Sequence, residues 1–380
     1  MTVPLKAPFP WFGGKSRAAP LIWEVLGDPA NYIEPFAGGM AVLLGRPCPP
    51  QHEIINDKDG FVCNVWRSLA FAPAQVAHHA GWPINENDLH ARHMWLKTQR
   101  KGLTARLEGD IDYFDAKIAG WWLWGIACWI GGEWCNTGPH SGPWVIEKDA
   151  EGMDCLVRRP SSQHTGITRQ HPGMGQSRFV SVHRKRPILR HAGHGVKRTL
   201  PAIARARGIH RNMPPSVDIT DTGHPLISAS REILLPWFRA LQDRLRNVRV
   251  CCGSWVRVLT PACTVHHGMT GILLDPPYAV SSGRDKNVYA VDEQGIAQQV
   301  EDWCLRHGAH PLLRIVLCGY GETHDVLLEH GWRKYAWIAQ GGMGNQCNGR
   351  GKSNRFRERI WCSPACLTRE QLSLFEEGTL

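Results

Sequence analysis

A short polar sequence at the end of an apolar run carries the clearest chemical signal in this chain. Residues 271–274 are Gly-Ile-Leu-Leu, and the four residues that follow are Asp275, Pro276, Pro277 and Tyr278. Because proline cannot donate a hydrogen bond to a sheet, the two prolines are expected to end a buried strand. The sequence therefore predicts a carboxylate and an aromatic ring at the carboxyl edge of a sheet, where open α/β folds bind ligands.

The groups at this turn suit one class of ligand. The Asp275 carboxylate and the Pro276 carbonyl can accept the two N–H bonds of an exocyclic amine. The Tyr278 ring can stack on the planar ring that bears that amine. Asp-Pro turns are common by themselves, so the interpretation depends on the hydrophobic strand before the turn.

Two glycine-rich segments near the N-terminus predict a second part of the site. In residues 11–15, Trp-Phe-Gly-Gly-Lys, the glycines allow a ligand to approach the backbone, Lys15 can meet an anionic group and Trp11 can stack. Residues 31–39, Asn-Tyr-Ile-Glu-Pro-Phe-Ala-Gly-Gly, predict a strand and a tight turn before a short helix at 40–44. This is typical of the first unit of a doubly wound fold, although it lacks the third glycine of a dinucleotide fingerprint.

A second strand, predicted over residues 53–56, places Asp57 at its carboxyl end. An acidic side chain at this point commonly binds ribose hydroxyl groups. It can equally serve as the N-cap of the next helix, predicted over residues 60–70. The sequence leaves both roles open.

The remaining pattern alternates helices and strands, which favours an α/β fold. Residues 113–134 contain five tryptophans and predict a buried helix. Apolar residues at helical spacing predict an amphipathic helix over 230–247. Further helices are expected at 18–26, 292–307 and 322–330, strands at 248–252, 272–274 and 312–318, and a hairpin of 333–338 with 355–362.

The positive charge of the chain is concentrated in one segment. The formal net charge is +10, and residues 158–217 contain 13 Lys and Arg but no Asp or Glu. The rest of the chain carries 31 basic and 34 acidic residues. A basic block on a nearly neutral body indicates a polyanionic partner, most simply nucleic acid; the alternative is a solvated insertion.

The composition excludes several protein classes. The longest apolar stretch, residues 118–130, is too short to span a bilayer. The N-terminus lacks the hydrophobic region of a signal peptide, so a cytoplasmic protein is expected. The thirteen cysteines are an odd number without a CxxC pair and are expected to be reduced. No metal site is predicted.

Four parts of the chain together resemble the Dam-like class of adenine-specific DNA methyltransferases of bacteria and phages. They are residues 11–15, residues 32–39, Asp57 and the Asp-Pro-Pro-Tyr turn at 275–278. The last motif alone also resembles those of RNA adenine and amino-cytosine methyltransferases. Its pairing with residues 11–15 favours the DNA adenine class. The chain departs from the family at Met40, where a further glycine is frequent, and at Ser254, where many relatives carry an acid.

The resemblance implies a Rossmann-like methyltransferase fold with a late antiparallel strand, an inserted basic target-recognition region and S-adenosylmethionine as cofactor. The residues implied to contact the cofactor or its pocket are Trp11, Gly13, Gly14, Lys15, Glu34, Pro35, Phe36, Gly38, Gly39, Asp57 and Asp275. The catalytic residues implied are Asp275, Pro276, Pro277 and Tyr278. The implied domains are 1–112 and 230–366 as the two parts of the methyltransferase, 113–229 as the target-recognition insertion, and 367–380 as a flexible tail.

Double-stranded DNA is the expected partner. The basic segment is expected to supply most contacts, together with a Gly-, Asn- and Arg-rich connection at 341–355, although a flexible hairpin tip is the alternative for that connection. The residues expected to bind DNA are Arg184, Lys185, Arg186, Arg190, Lys197, Arg198, Arg350 and Lys352.

The C-terminal tail contains a separate motif. Gln371, Leu372, Ser373, Leu374 and Phe375 resemble the pentapeptide by which bacterial replication proteins dock on the sliding clamp. The peptide would fold on binding. The alternative is a short terminal helix that packs on the body.

The sequence thus favours a site-specific DNA adenine N6-methyltransferase that acts on a flipped-out adenine, as an orphan enzyme or as the modification half of a restriction system. An RNA adenine or DNA cytosine-N4 methyltransferase and a catalytically impaired DNA-binding relative stay open. A monomer or weak dimer is expected.

Overall fold

We describe the chain from a computed structural model. It describes residues 5–11, 13–48, 51–129, 134–135, 144–148, 154–158, 231–278, 295–339 and 356–368. The strands, in chain order, are β1 (Asn31–Glu34), β2 (His52–Asp57), β3 (Trp144–Lys148), β4 (Asp154–Arg158), β5 (Val248–Cys252), β6 (Thr270–Leu274), β7 (Leu313–Tyr320), β8 (Arg333–Ala336) and β9 (Glu358–Cys362).

Seven of these strands form one sheet in the order β5-β2-β1-β6-β7-β9-β8. The first five are parallel, and β9 runs antiparallel to both β7 and β8. β1 and β6 are buried along their whole length, as strands covered on both faces must be. The expected Rossmann-like fold with a late antiparallel strand is confirmed. β3 and β4 form a separate antiparallel pair that the sequence pattern did not predict.

The strand order reverses between β1 and β6, which are neighbours in the sheet. Chain connections leave in opposite directions at such a point, so a crevice opens beyond the carboxyl ends of the two strands. Residues 31–33 of β1 pair with 270–272 of β6, and this register brings the two strand ends to the same edge. The two halves of the sequence therefore meet at the position where a ligand is expected.

Eight α-helices are described. They are α1 (Ala19–Leu26), α2 (Ala41–Leu44), α3 (Gly60–Phe71), α4 (Pro73–Ala80), α5 (Glu86–Gly109), α6 (Ala116–Cys128), α7 (Arg231–Leu245) and α8 (Ile296–His307). Short 3₁₀ helices span Trp255–Val258, Val265–His267 and Asp325–His330. The last of these was expected as part of a longer segment at 322–330.

Helices α4 and α5 are absent from the pattern-based prediction. Much of α5 is polar, and its buried apolar positions include Leu96, Leu103 and Leu107. The usable signal was at its start, where the Asn85 side chain accepts a hydrogen bond from the Asp88 N–H and caps the helix. The Asn85 cap thus marks a helix start that hydrophobic periodicity alone does not reveal.

The tryptophan-rich helix is shorter than predicted but is buried as expected. Asp115 caps its first turn by accepting from the Ile118 N–H, and the helix ends at Cys128. Trp122 and Trp124 are buried, whereas Trp121 is only partly buried. α6 packs closely against α3 and α4, so it belongs to the core that covers one face of the sheet.

A buried ion-pair cluster ties the second half of the chain to the first. The Arg244 side chain of α7 reaches the Glu53 carboxylate of β2 with a 2.9 Å hydrogen bond from Nη2 to Oε1. Arg46 contacts the same carboxylate, which is fully buried. Since a buried charge without partners is costly, both arginines hold Glu53 in place.

Among the described residues, none of the helices has both the length and the apolar character needed to span a bilayer.

Candidate functional site

The carboxyl ends of β1, β2 and β6 open into one cleft of about 1020 Å³, open solvent included. The cleft lies where the strand order reverses, which is the position at which open α/β folds bind their ligands. Most residues implied by the resemblance line it. They are Trp11, Gly13, Gly14, Lys15, Glu34, Pro35, Phe36, Gly39, Asp57, Asp275 and Pro277.

Gly38 shapes the cleft from behind rather than lining it. Its φ of 46° lies in the left-handed region, and a Cβ atom added there would overlap the Trp11 indole. Its N–H donates to Asp57 Oδ2 at 2.9 Å, and its carbonyl accepts from Trp66 Nε1 at 2.9 Å. Gly38 therefore lets Trp11 pack directly on the turn.

Met40 occupies a backbone position that ordinarily favours glycine. Its backbone is left-handed, with φ 48° and ψ 34°, a conformation that is costly for most side chains. The Met40 side chain is fully buried. The turn after β1 thus keeps the shape that glycine would favour, and burial of the methionine offsets the backbone strain.

Asp57 does not cap the helix that follows β2. Asp59 fills that position, since its side chain accepts from the Phe61 N–H at 2.9 Å. The capping alternative for Asp57 is therefore wrong. Asp57 accepts from the N–H groups of Gly38 and Asp59 and lines the cleft. Burial raises its pKa to about 6, although those backbone hydrogen bonds oppose the shift.

Glu34 places a second buried carboxyl group at the cleft. Its Oε1 accepts from the Tyr32 hydroxyl at 2.8 Å and from the Leu43 N–H at 2.7 Å. Burial raises the pKa of Glu34 to about 8, with a smaller contribution from nearby Glu53 and Asp275. The hydrogen bonds lower the pKa but do not cancel the effect of burial.

Lys15 and Asp275 join the two predicted parts of the site. Lys15 Nζ donates to Asp275 Oδ2 at 2.7 Å and to the Gly13 carbonyl at 2.7 Å. Burial by itself would lower the pKa of Lys15, but the carboxylates of Asp275 and Glu358 outweigh it and the net pKa is raised. The ammonium group therefore stays charged and holds one Asp275 oxygen in a fixed position.

Tyr278 follows Asp275 closely but lies deeper. Its ring is 8% exposed and packs edge-on against Tyr320 with centroids 4.5 Å apart. Its hydroxyl donates to Glu358 Oε2 at 2.9 Å, and Lys15 Nζ lies 5.2 Å from the ring centroid. Unlike Asp275 and Pro277, neither Tyr278 nor Pro276 is among the residues that line the cleft.

Several lining residues were missed by the sequence reasoning. Trp255 stacks on Phe36 with ring centroids 5.9 Å apart. The two residues are distant in the sequence, so no local pattern predicts this contact. Asn56 donates to the carbonyls of Pro35 and Gly253, and its place at a strand end beside Asp57 was a usable signal. The other unpredicted polar residues at the cleft are Lys58 and Asp59, and Ser254, noted in the sequence as a departure from the family, also lines it.

The residues expected to bind DNA lie outside the described residues, as does the proposed clamp peptide. Within the described ranges, no group of three His, Cys, Asp or Glu side chains comes together to hold a metal ion. The lining combines carboxylates, two lysines, an aromatic pair and accessible glycine backbone. Such a cleft can hold a nucleoside-like molecule that carries both positive and negative groups.

Comparison with known proteins agrees with this geometry. Residues 11–87 match the model of the D12 class N6 adenine-specific DNA methyltransferase family. No curated protein matches the chain. The matched segment runs from Trp11 through β1, the glycine turn, β2, α3 and α4 to the first turn of α5, whereas the turn at Asp275 lies outside it. The resemblance to the Dam-like adenine methyltransferases is thus confirmed over residues 11–87, which match the D12 class N6 adenine-specific DNA methyltransferase family.

Proposed function

We propose that this protein is a DNA adenine N6-methyltransferase that uses S-adenosylmethionine and acts on an adenine flipped out of the duplex. The observation that supports this most strongly is the ion pair of Lys15 with Asp275. It brings the glycine-rich start of the chain and the Asp-Pro-Pro-Tyr turn to one cleft. The family match over residues 11–87 supports adenine in DNA as the substrate.

The cleft residues fit S-adenosylmethionine in their chemistry. The carboxyl groups of Glu34 and Asp57 can accept hydrogen bonds from ribose hydroxyl and amino groups. Phe36, stacked on Trp255, offers an aromatic surface to a purine. Lys58 offers a positive charge to a carboxylate. When bound, S-adenosylmethionine supplies an electrophilic methyl group on a positively charged sulfur.

The turn at the end of β6 would activate the target amine. The lone pair of an adenine amine is delocalised into the ring, which makes the nitrogen a poor nucleophile. Hydrogen bonds from its N–H groups to the Asp275 carboxylate and the Pro276 carbonyl favour a pyramidal nitrogen and free that lone pair. Lys15 holds the Asp275 carboxylate in one orientation through a 2.7 Å hydrogen bond, so positioning supplies most of the rate enhancement.

Asp275 is proposed as a hydrogen-bond acceptor rather than a strong base. The amine proton becomes acidic only after the nitrogen has gained a methyl group, so no strong base is needed beforehand. Extracting the base from the duplex costs a few kcal/mol. Stacking on Tyr278 would offset part of that cost.

Binding to DNA is proposed for the basic segment and for the connection between β8 and β9. Residues 113–229 would form the target-recognition part, and α6 anchors its start in the core of the body. An RNA adenine or DNA cytosine-N4 methyltransferase is the second candidate, because the Asp-Pro-Pro-Tyr turn suits any ring with an exocyclic amine. The family match favours the DNA adenine enzyme.

Nucleoside analysis tests the proposal. Unmethylated plasmid DNA and RNA are incubated with the protein and S-adenosylmethionine, and the modified nucleosides are identified by mass spectrometry. We expect N6-methyladenine in DNA. N4-methylcytosine, or methylation of RNA alone, would identify the second candidate, and no methylated nucleoside at all would favour a catalytically impaired DNA-binding protein.

Variants of Asp275 test the catalytic assignment. Asp275→Asn and Asp275→Ala are expected to lower methyl transfer by at least about 100-fold, because the amine loses its charged acceptor. DNA binding should persist in both. The asparagine variant is needed because alanine removes the side-chain hydrogen-bond acceptor of the buried Lys15, and removing one partner of a buried ion pair destabilises proteins by about 3–5 kcal/mol. Asp243→Asn, at an exposed position, is the control. Activity retained in both variants would refute the assignment.

A further inference from the structure

Glu358 is a buried carboxyl group that the proposed mechanism does not yet use. It is the first residue of β9, and only 3% of its surface is exposed. Burial raises its pKa, while the charge of Lys15 and the hydrogen bond from Tyr278 lower it. A buried carboxyl group is costly compared with an apolar side chain of similar size. Its presence therefore calls for an explanation beyond packing.

The side-chain partner of Glu358 is the tyrosine of the Asp-Pro-Pro-Tyr turn. The Tyr278 hydroxyl donates to Glu358 Oε2 at 2.9 Å, and both groups are buried. Tyr320, which faces Glu358 across the β7–β9 ladder, packs edge-on against the same ring. The Tyr278 side chain is thus fixed at its hydroxyl by the hydrogen bond to Glu358 and at its ring by edge-to-face packing with Tyr320.

The same contacts connect the tyrosine to Lys15. Lys15 Nζ lies 5.2 Å from the Tyr278 ring centroid and 5.9 Å from that of Trp337. The backbone N–H of Trp337 donates to the backbone carbonyl of Glu358 at 3.3 Å. Glu358 therefore holds two aromatic residues beside Lys15, one through its side chain and one through its backbone.

We propose that Glu358 is a positioning residue for the target base, because it holds the Tyr278 ring through its hydroxyl in the orientation that stacks on the flipped adenine. This inference rests on the proposed function. Glu358 does not touch the base. It acts through the tyrosine, so its removal and the removal of the hydroxyl should have the same consequence.

A double-mutant cycle tests the inference. The proteins compared are the wild type, Tyr278→Phe, Glu358→Ala, the double variant and Glu358→Gln. Methyl transfer into unmethylated plasmid DNA gives kcat and the half-saturating DNA concentration for each. Unfolding by urea shows whether each variant is folded, and Glu329→Ala, at an exposed position, is the control.

Each single variant is expected to lower kcat about tenfold, the effect of one hydrogen bond to a charged group. The half-saturating DNA concentration should change less than kcat. The double variant should be no slower than the slower single variant, because both changes remove the same interaction. Glu358→Gln keeps an acceptor and should stay within about threefold of the wild type.

Specific results would overturn the inference while leaving the proposed function intact. The first is an active wild type together with a double variant in which the two single losses of kcat multiply. The second is a Glu358→Gln variant whose kcat is as low as that of Glu358→Ala. If Glu358→Ala does not fold, an unchanged kcat in Tyr278→Phe overturns the inference by itself. A wild type that transfers no methyl group overturns the proposed function and the inference together.

Discussion

Lys15 donates a 2.7 Å hydrogen bond to Asp275, although 260 positions separate them in the sequence. The lysine side chain is 4% exposed and the aspartate side chain 22%, so the bond lies at the inner end of the cleft. It fixes the distance between the glycine-rich start and the end of β6. The predictions for Gly38 and Glu34 depend on the cleft that contains this pair. The other two predictions depend on the basic segment and on the C-terminal peptide.

Gly38→Ala should destabilise the protein and weaken binding of S-adenosylmethionine. The left-handed backbone costs alanine about 1–2 kcal/mol, and the new Cβ overlaps the Trp11 indole. Urea unfolding and calorimetric titration with S-adenosylmethionine measure the two effects. Gly102→Ala is the matched control, because Gly102 lies within α5 with open space around its Cβ position. That change should stabilise the protein by roughly 0.5–1 kcal/mol. Equal effects of the two substitutions would contradict the role given to Gly38.

Glu34 should contribute to the free energy of unfolding a stabilisation that decreases as pH rises from 4.5 to about 8. The pKa of Glu34 is raised from 4.5 to about 8 in the folded protein, so folding favours its protonated form. The resulting stabilisation is fully present below pH 4.5 and is lost as pH rises through about 8. Since one pKa unit corresponds to about 1.4 kcal/mol, the loss is of the order of a few kcal/mol.

Glu34→Gln should remove the contribution of Glu34, because the amide stays neutral throughout, so the wild type should lose stability relative to this variant as pH rises to about 8. Urea unfolding at a series of pH values, without added S-adenosylmethionine, measures the decline in each protein. Glu329→Gln, at an exposed position, should follow the wild type. A Glu34→Gln variant whose stability declines as steeply as that of the wild type would show that Glu34 is ionised in the folded protein.

Neutralising Arg184, Lys185, Arg186 and Arg190 together should weaken DNA binding and reduce its salt dependence. The slope of log K against log salt concentration falls by about 0.9 for each DNA phosphate that the protein no longer neutralises. Fluorescence anisotropy with duplex DNA at several salt concentrations measures both quantities. Arg246→Gln, an exposed position outside the basic segment, is the control. An unchanged slope would show that these four residues do not contact DNA.

Deleting residues 371–380 should abolish capture of the protein by an immobilised bacterial sliding clamp. The peptide from Gln371 to Phe375 would no longer supply its apolar and hydrogen-bonding groups to the clamp. Methyl transfer to plasmid DNA should be unaffected, which separates this function from catalysis. A double substitution, Leu374→Ala with Phe375→Ala, should reproduce the deletion. Undiminished capture would favour the alternative of a terminal helix packed on the body.

The ends of several strands could be predicted from the local sequence, because residue types such as proline allow few backbone conformations. The two prolines after Asp275 end β6 where the apolar run stops, and β1 is followed by its glycine turn as expected. Strand β5 has the predicted bounds. Such boundaries depend on proline geometry, glycine conformation and strand burial, all of which act over a few residues.

Contacts between distant segments required the structure. Glu358 is 80 positions from Tyr278, and nothing in its neighbourhood distinguishes it from an exposed strand residue. Trp255 reaches Phe36 only because β5 and β1 lie on either side of β2. Asp59, and not Asp57, caps the helix that follows β2. The sequence has both aspartates close to the helix start, and only the backbone geometry shows which of them is the cap.

The sequence by itself determined the chemical groups of the site and the family that they resemble, because motif residues carry their chemistry wherever they fold. The tertiary structure alone decided which groups meet. Lys15 meets Asp275 at the edge of the sheet where the parallel strands β1 and β6 end, and the antiparallel return of β9 brings Glu358 to the Tyr278 hydroxyl. Pairing across a sheet depends on the packing of the whole core, so no local stretch of sequence encodes it.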